Sequence, residues 1–353
     1  MKVGLCLGAG GVVGASWLIG ALEALEAETG WDASSAEMIV GTSAGSVIGA
    51  LCAEGLSPQY MTAYLNGEEV DEIVAMAEQA GAAPERIAQI VRAAKQAEEA
   101  GEERPSGIGY QFARALPPLG PGSWKLAYES LRHPMRHAAT TLLAGWLPRG
   151  FISTDPITRL VEAFIPGEWP DHPSYWAVAA DYANGRRVPF GRAGEPHAKV
   201  AEAVAASCAI PSFYYPVSIQ GRRYVDGGVC SPSNVDLLAD RGLDLVICLN
   251  PMSSMAQITG GSAGDRVGAL MRSLTRKRLD HELEKVLASG TEVVCLEPTR
   301  DDVRVMGLNM MSSARRFEVA DVARRTTAQE LRVLRARGVT LPGEAPRRAA
   351  RAA

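Results

Sequence analysis

Two strand–turn–helix units in the first 55 residues constrain this chain more than any other feature. Residues 2–7 form a short apolar run that ends at Gly8-Ala9-Gly10-Gly11-Val12-Val13-Gly14. A helix is predicted from about 15 to 28, with Leu18, Leu22 and Leu25 on one face. Residues 37–40 form a second strand that runs into Gly41-Thr42-Ser43-Ala44-Gly45. The next helix turns Val47, Ile48 and Leu51 inward and stops at Gly55. Strand, turn, helix, repeated, requires parallel strands joined by helical crossovers. The expected fold class is α/β, a mainly parallel sheet covered by helices on both faces.

The remainder fits that frame with one interruption. Residues 58–150 are alanine-rich, charged and broken by Pro105, Pro117, Pro118 and Pro121, which predicts a helical insertion. Strands are expected at 176–181, 222–225, 243–249 and 292–296, and helices at 198–207, 264–289 and 312–337. A single domain over 1–340 with a disordered basic tail at 341–353 is the expected organisation. Hydrophobic residues at 47% and charged residues at 22% supply a sizeable core and exclude a disordered chain. A formal net charge of -4 gives no basic footprint for nucleic acid.

Residues 3–22 carry no charge and superficially resemble a signal peptide or a membrane span. Six glycines interrupt the run (Gly4, Gly8, Gly10, Gly11, Gly14, Gly20), so strand, turn and helix account for it better. The six cysteines (Cys6, Cys52, Cys208, Cys230, Cys248, Cys295) form no C-x-x-C pair and sit mostly in apolar runs. They read as buried thiols of a reducing compartment, and a cytoplasmic protein is expected. The acidic clusters lack ligand spacing, so neither a metal nor a cofactor is expected.

Gly41-x-Ser43-x-Gly45 between a strand and a helix is the pattern of a nucleophile elbow. The tight turn lifts the serine off the sheet edge, and side chains two positions away would collide with backbone. The loop from Gly8 to Gly14 has two readings. It can cradle the phosphates of a dinucleotide, or its bare N–H groups can hold the oxygen of a tetrahedral intermediate. The dinucleotide reading wants an acidic residue at the end of the second strand, where this chain has Ser43, and the oxyanion reading is favoured. Of the five histidines (His133, His137, His172, His197, His281), none lies at a convincing strand-end turn. Asp226 does, between Tyr224-Val225 and Gly227-Gly228.

These three ordered motifs resemble the patatin-like phospholipases. Ala206-Ser207-Cys208-Ala209-Ile210-Pro211 and Tyr215-Pro216-Val217 agree with that family's approach to its aspartate. The resemblance implies a three-layer α/β/α fold and a Ser–Asp dyad without histidine, Ser43 as nucleophile and Asp226 as base. It implies an oxyanion hole at Gly10 and Gly11, with acyl transfer on a lipid ester. Gly8 and Gly14 belong to that loop, Gly41 and Gly45 clear space for Ser43, and Gly227 and Gly228 leave Asp226 unobstructed. Two positions depart from the family pattern. Ala9 replaces a glycine, and Val13 stands where a cation is usual, which bears on phospholipid preference more than on ester hydrolysis. A soluble small-acyl esterase or thioesterase and a non-catalytic nucleotide- or lipid-binding module are the alternative functions.

Residues 123–149 are the best candidate for touching lipid, by lying in a bilayer interface or by covering an acyl pocket. Leu131, Met135, Leu142 and Trp146 keep helical spacing, Leu143 and Leu147 widen the stripe, and Lys125, Arg132, Arg136 and Arg149 outnumber Glu129. A cap helix packed on the sheet is the other reading of that segment.

Overall fold

The computed structural model describes residues 1–66, 74–75, 91, 120–132, 139–254 and 263–344. Its frame is one eight-stranded sheet. The strands are β1 (Val3–Leu7), β2 (Met38–Thr42), β3 (Tyr175–Asp181), β4 (Arg187–Phe190), β5 (Val217–Ile219), β6 (Arg222–Asp226), β7 (Leu245–Leu249) and β8 (Glu292–Leu296). The order β3-β2-β1-β7-β8 is parallel throughout. β4, β5 and β6 add an antiparallel flank beside β3. The fold class is α/β with a mainly parallel sheet between helical layers, as expected from the sequence.

Parallel strands buried on both faces are apolar at every position, which is why β1, β2 and β7 carry no polar alternation. Successive residues still point to opposite faces. Leu5, Leu7, Ile39 and Ile247 pack on one side against α1 (Gly11–Thr29), α2 (Ala44–Ala53) and α10 (Arg316–Ala336), through Trp17, Leu22, Ile48 and Leu331. Cys6, Val40, Val246 and Cys248 pack on the other, against Leu279 and Val286 of α8 (Ala263–Ala288). The remaining helices are α3 (Pro58–Asn66), α4 (Trp124–Arg132), α5 (Ala139–Trp146), α6 (Asp155–Phe164), α7 (Val200–Ser207) and α9 (Arg300–Met306).

One detail of register positions the site. Val178 pairs with Pro189 of β4 on one edge and with Thr42 of β2 on the other. Ala179 pairs with Val188 of β4 and with Asp226 of β6. β2 and β6 therefore share one edge of β3 and meet there with their C-terminal ends face to face. The residue after Thr42 and the last residue of β6 are forced together.

Some expectations need correction. The 123–149 stripe is not one continuous helix among the described residues: it is α4 and α5, and Met135 and Arg136 lie outside those residues. β4, β5, α6 and α9 are absent from the sequence reading. β4 and β5 are too short for a period-2 signal, and Pro189 argues against a strand except beside an edge. Most of the 58–150 insertion, all of 345–353, His133 and His137 lie outside the described residues. Among those described, no helix is long and apolar enough to cross a membrane.

Candidate functional site

Ser43 terminates β2 and caps α2 with φ 53° and ψ -122°. This is a sparsely populated conformation for a residue with a Cβ, and it persists only where neighbours hold it. Here they do. The Ser43 N–H donates to Ser207 Oγ at 2.9 Å, and Ser207 Oγ–H donates to the Val178 carbonyl at 2.6 Å. The Ser43 carbonyl accepts from Ser46 Oγ at 2.6 Å and from Ser46 N–H at 2.8 Å. A Cβ on Gly45 would strike the carbonyl oxygen of Leu7, so only glycine lets the first turn of α2 reach the end of β1.

Asp226 lies across the β2–β6 junction and is buried, as Ser43 is. One carboxylate oxygen accepts the Gly228 N–H at 2.7 Å. Burial pushes the carboxyl up from 3.8 to about 6, while the Ser43 hydroxyl facing it and the Gly228 N–H pull it back down. A carboxylate so placed is a stronger base than an ordinary aspartate and is still mostly ionised at neutral pH.

The loop after β1 completes the corner. Gly8 N–H and Ala9 N–H are taken by the carbonyls of Leu249 and Pro232, at 2.9 and 2.7 Å. Gly14 N–H returns to the Gly10 carbonyl at 2.8 Å. Gly10 N–H and Gly11 N–H donate to no acceptor among the described residues. Gly11 has φ +61°, which a side chain rarely adopts. Ala9 lies outside the left-handed region, so its methyl is tolerated there. The loop, the elbow and the Asp226-Gly227-Gly228 turn thus stand at one end of the sheet.

Among the described residues no histidine contacts Ser43 or Asp226. His172 accepts from Ser174 N–H at 3.1 Å and lies 2.8 Å from the Ala36 carbonyl, at the opposite ends of β2 and β3. His197 and His281 are exposed beside Glu168 and Glu284. Cys208 is next to the site, its sulfur 3.9 Å from Ser46 Oγ. Burial and the nearby Asp226 push its thiol far up, so it remains neutral. No group of three His, Cys, Asp or Glu side chains among the described residues could hold a metal ion.

Sequence reasoning missed three supports. Ser207 was quoted within a motif, yet its hold on the Ser43 amide had no sequence signal. Asn234 is fully buried with φ 56°, and its Nδ2 donates to Thr42 Oγ1 at 3.0 Å and to the Ser231 carbonyl at 2.6 Å. It links the residue before Ser43 to the segment that follows Asp226. Met310 accepts the Val13 N–H at 3.1 Å, so the turn between α9 and α10 rests on the glycine-rich loop. That contact joins residues 297 positions apart, which no local pattern encodes.

A family model described as patatin-like phospholipase matches residues 5–239. Among solved structures, VipD from Legionella pneumophila matches at 13% identity and a TM-score of 0.38, over 93% of this chain and 66% of that one. The heterodimeric ExoU–SpcU complex from the type III secretion system of Pseudomonas aeruginosa matches at 18% identity and a TM-score of 0.30, over 96% and 63%. The chain spans just under two thirds of the length of each.

Proposed function

The chain belongs to the patatin-like phospholipase family, and from that premise we propose that it is a serine acyl hydrolase acting on lipid esters through a Ser43–Asp226 dyad. The observation that carries this reading is the buried meeting of Ser43 and Asp226 beside two undonated loop amides. Ser43 Oγ attacks the ester carbonyl carbon and its proton passes to the Asp226 carboxylate. The carbonyl oxygen gains the negative charge and is received by Gly10 N–H and Gly11 N–H, with the N-terminus of α2 adding positive potential. Collapse expels the alcohol, which takes the proton back from Asp226, and leaves an acyl-Ser43 intermediate. Water then attacks that ester, again giving its proton to Asp226; as the second tetrahedral intermediate collapses, Ser43 Oγ leaves and takes that proton back, and the acid is released. A single catalytic unit over 1–340 with 58–150 as its insertion is the organisation proposed with it.

Labelling by a fluorophosphonate, run beside hydrolysis of short-chain esters, thioesters, long-chain esters and phospholipid vesicles, tests the reading. Wild type should be labelled and prefer long-chain or phospholipid substrates, and Ser43→Ala should lose both signals by about 10⁴-fold or more in rate. A folded wild type that takes no label would defeat the hydrolase. Preference for short-chain esters or thioesters would replace the lipid with a small acyl group.

A further inference from the structure

The α4–α5 pair is exposed in an unusual way. Of the eleven large hydrophobic side chains exposed among the described residues, six lie within 124–147: Trp124, Tyr128, Leu131, Leu143, Trp146 and Leu147. The inner edge of α4 is ordinary, with Leu126 buried against Ala180, Tyr182 and Val225. The outer edge is an apolar face turned to solvent, and Trp124 and Trp146 stand at the same end of the pair, where the Gly122 and Ser123 N–H groups donate to the Leu147 and Gly145 carbonyls.

Beside that face is a cavity of about 570 Å³ whose lining includes Trp124, Lys125, Arg149, Tyr182, Arg222 and Arg223. The single carboxylate in the lining, Asp181, is already paired with Arg222 and accepts the Ala183 N–H at 2.8 Å. Among the described residues no carboxylate stands within ion-pair distance of Lys125, Arg149 or Arg223, although Arg149 Nε donates to the Gly122 carbonyl at 2.8 Å. Three cations thus converge on a space without a counter-charge of their own.

Register places this cavity on the catalytic rim. Asp226 is level with Ala179 and Tyr224 with Asp181, and the Tyr182 N–H donates to the Arg223 carbonyl. Arg223 therefore lies three residues of strand, about 10 Å, beyond Asp226, with its side chain on the Val225 face of β6, opposite the Asp226 face. The pair is also tied to the aspartate's own turn. Thr140 and Thr141 hydroxyls both donate to the Val229 carbonyl, at 2.6 and 2.8 Å, three residues after Asp226.

We propose that α4, α5 and the Lys125–Arg149–Arg223 cavity form a docking surface for an anionic phospholipid bilayer, the cavity receiving a lipid phosphate. Charge complementarity selects the occupant: an apolar face with two tryptophans at one end, beside unneutralised cations, matches acyl chains beneath phosphate. The choice of a bilayer rests on the lipid-ester reading, while the surface itself is independent of Ser43.

The test uses the full chain carrying Ser43→Ala, so that turnover cannot alter the vesicles. Cosedimentation is measured with phosphatidylcholine vesicles, with and without phosphatidylglycerol. The protein should bind the anionic vesicles at least tenfold more tightly, weakly the neutral ones, and less as salt rises. Lys125→Glu with Arg223→Glu should remove that preference, and Trp124→Ser with Leu131→Ser should weaken binding to both. Inorganic phosphate at matched ionic strength should not displace the protein. Both double variants, with Ser43 restored, should keep wild-type kcat/KM on a soluble short-chain ester. Unchanged anionic binding by the charge-reversed variant, or displacement by inorganic phosphate, would overturn the proposal. Absence of vesicle binding by a protein that still cleaves the soluble ester would overturn it while leaving the catalytic reading intact.

Discussion

Two regions at the same rim of the sheet are built on opposite rules. Ser43 and Asp226 are 3% and 5% exposed, whereas Trp124 and Leu131 are each 69% exposed. In the first, polar groups are buried and every support is a hydrogen bond to backbone or to another buried side chain. In the second, apolar groups are exposed, and the buried side is held by the packing of Leu126 and by the hydroxyl hydrogen bonds of Thr140, Thr141 and Tyr182. Polar burial and apolar exposure both cost a folded chain free energy. Each region accepts a cost that folding alone does not require, and in each the departure marks where a ligand is expected.

That contrast can be broken by measuring stability across the two regions. The largest expected effect has the unusual sign. The Asp226 carboxyl is raised from 3.8 to about 6, so its ionisation disfavours the folded state: the penalty is absent below the ordinary value and complete above about 6. Asp226→Asn should therefore raise the unfolding free energy by roughly 3 kcal/mol at pH 7 and by little near pH 4. Denaturant titrations at the two pH values check this, and a destabilised variant at pH 7 would contradict it. Ser207→Ala comes next. It leaves the Ser43 N–H without its partner, and should cost about 1–2 kcal/mol of stability and lower kcat more than it raises KM. A change confined to KM would assign Ser207 to substrate binding instead. The smallest effect belongs to the outer face, where Trp124→Ser with Leu131→Ser should stay within about 0.5 kcal/mol of wild type. A loss of several kcal/mol there would make α4 a buried cap.

The difference also explains what the sequence disclosed. Gly41-x-Ser43-x-Gly45 and Asp226-Gly227-Gly228 were legible because tight turns beside buried strands admit few residue types, and composition within five positions records that. The glycine loop was legible for the same reason. Ser207, Asn234 and Met310 were not, because each acts on a residue more than a hundred positions away through one hydrogen bond. The end-to-end meeting of β2 and β6 was equally hidden, since it depends on β4 occupying the other edge of β3. On the outer face, the apolar and basic residues of 123–149 were visible, but Arg222 and Arg223 read as an unremarkable strand start. Only the antiparallel run of β6 brings them beside Lys125 and Arg149.

The claim on which the rest depends is that Asp226, and no histidine, takes the proton from Ser43. The pH profile of kcat/KM for a soluble ester, in wild type and in Asp226→Asn, addresses it. A base must be ionised to act, so wild-type activity should rise through an apparent pKa of about 6 and level off above it. Folded Asp226→Asn should fall about 10²–10⁴-fold below that plateau and lose the rising limb. An Asp226→Asn protein that keeps both the limb and the rate would contradict the dyad and require another base.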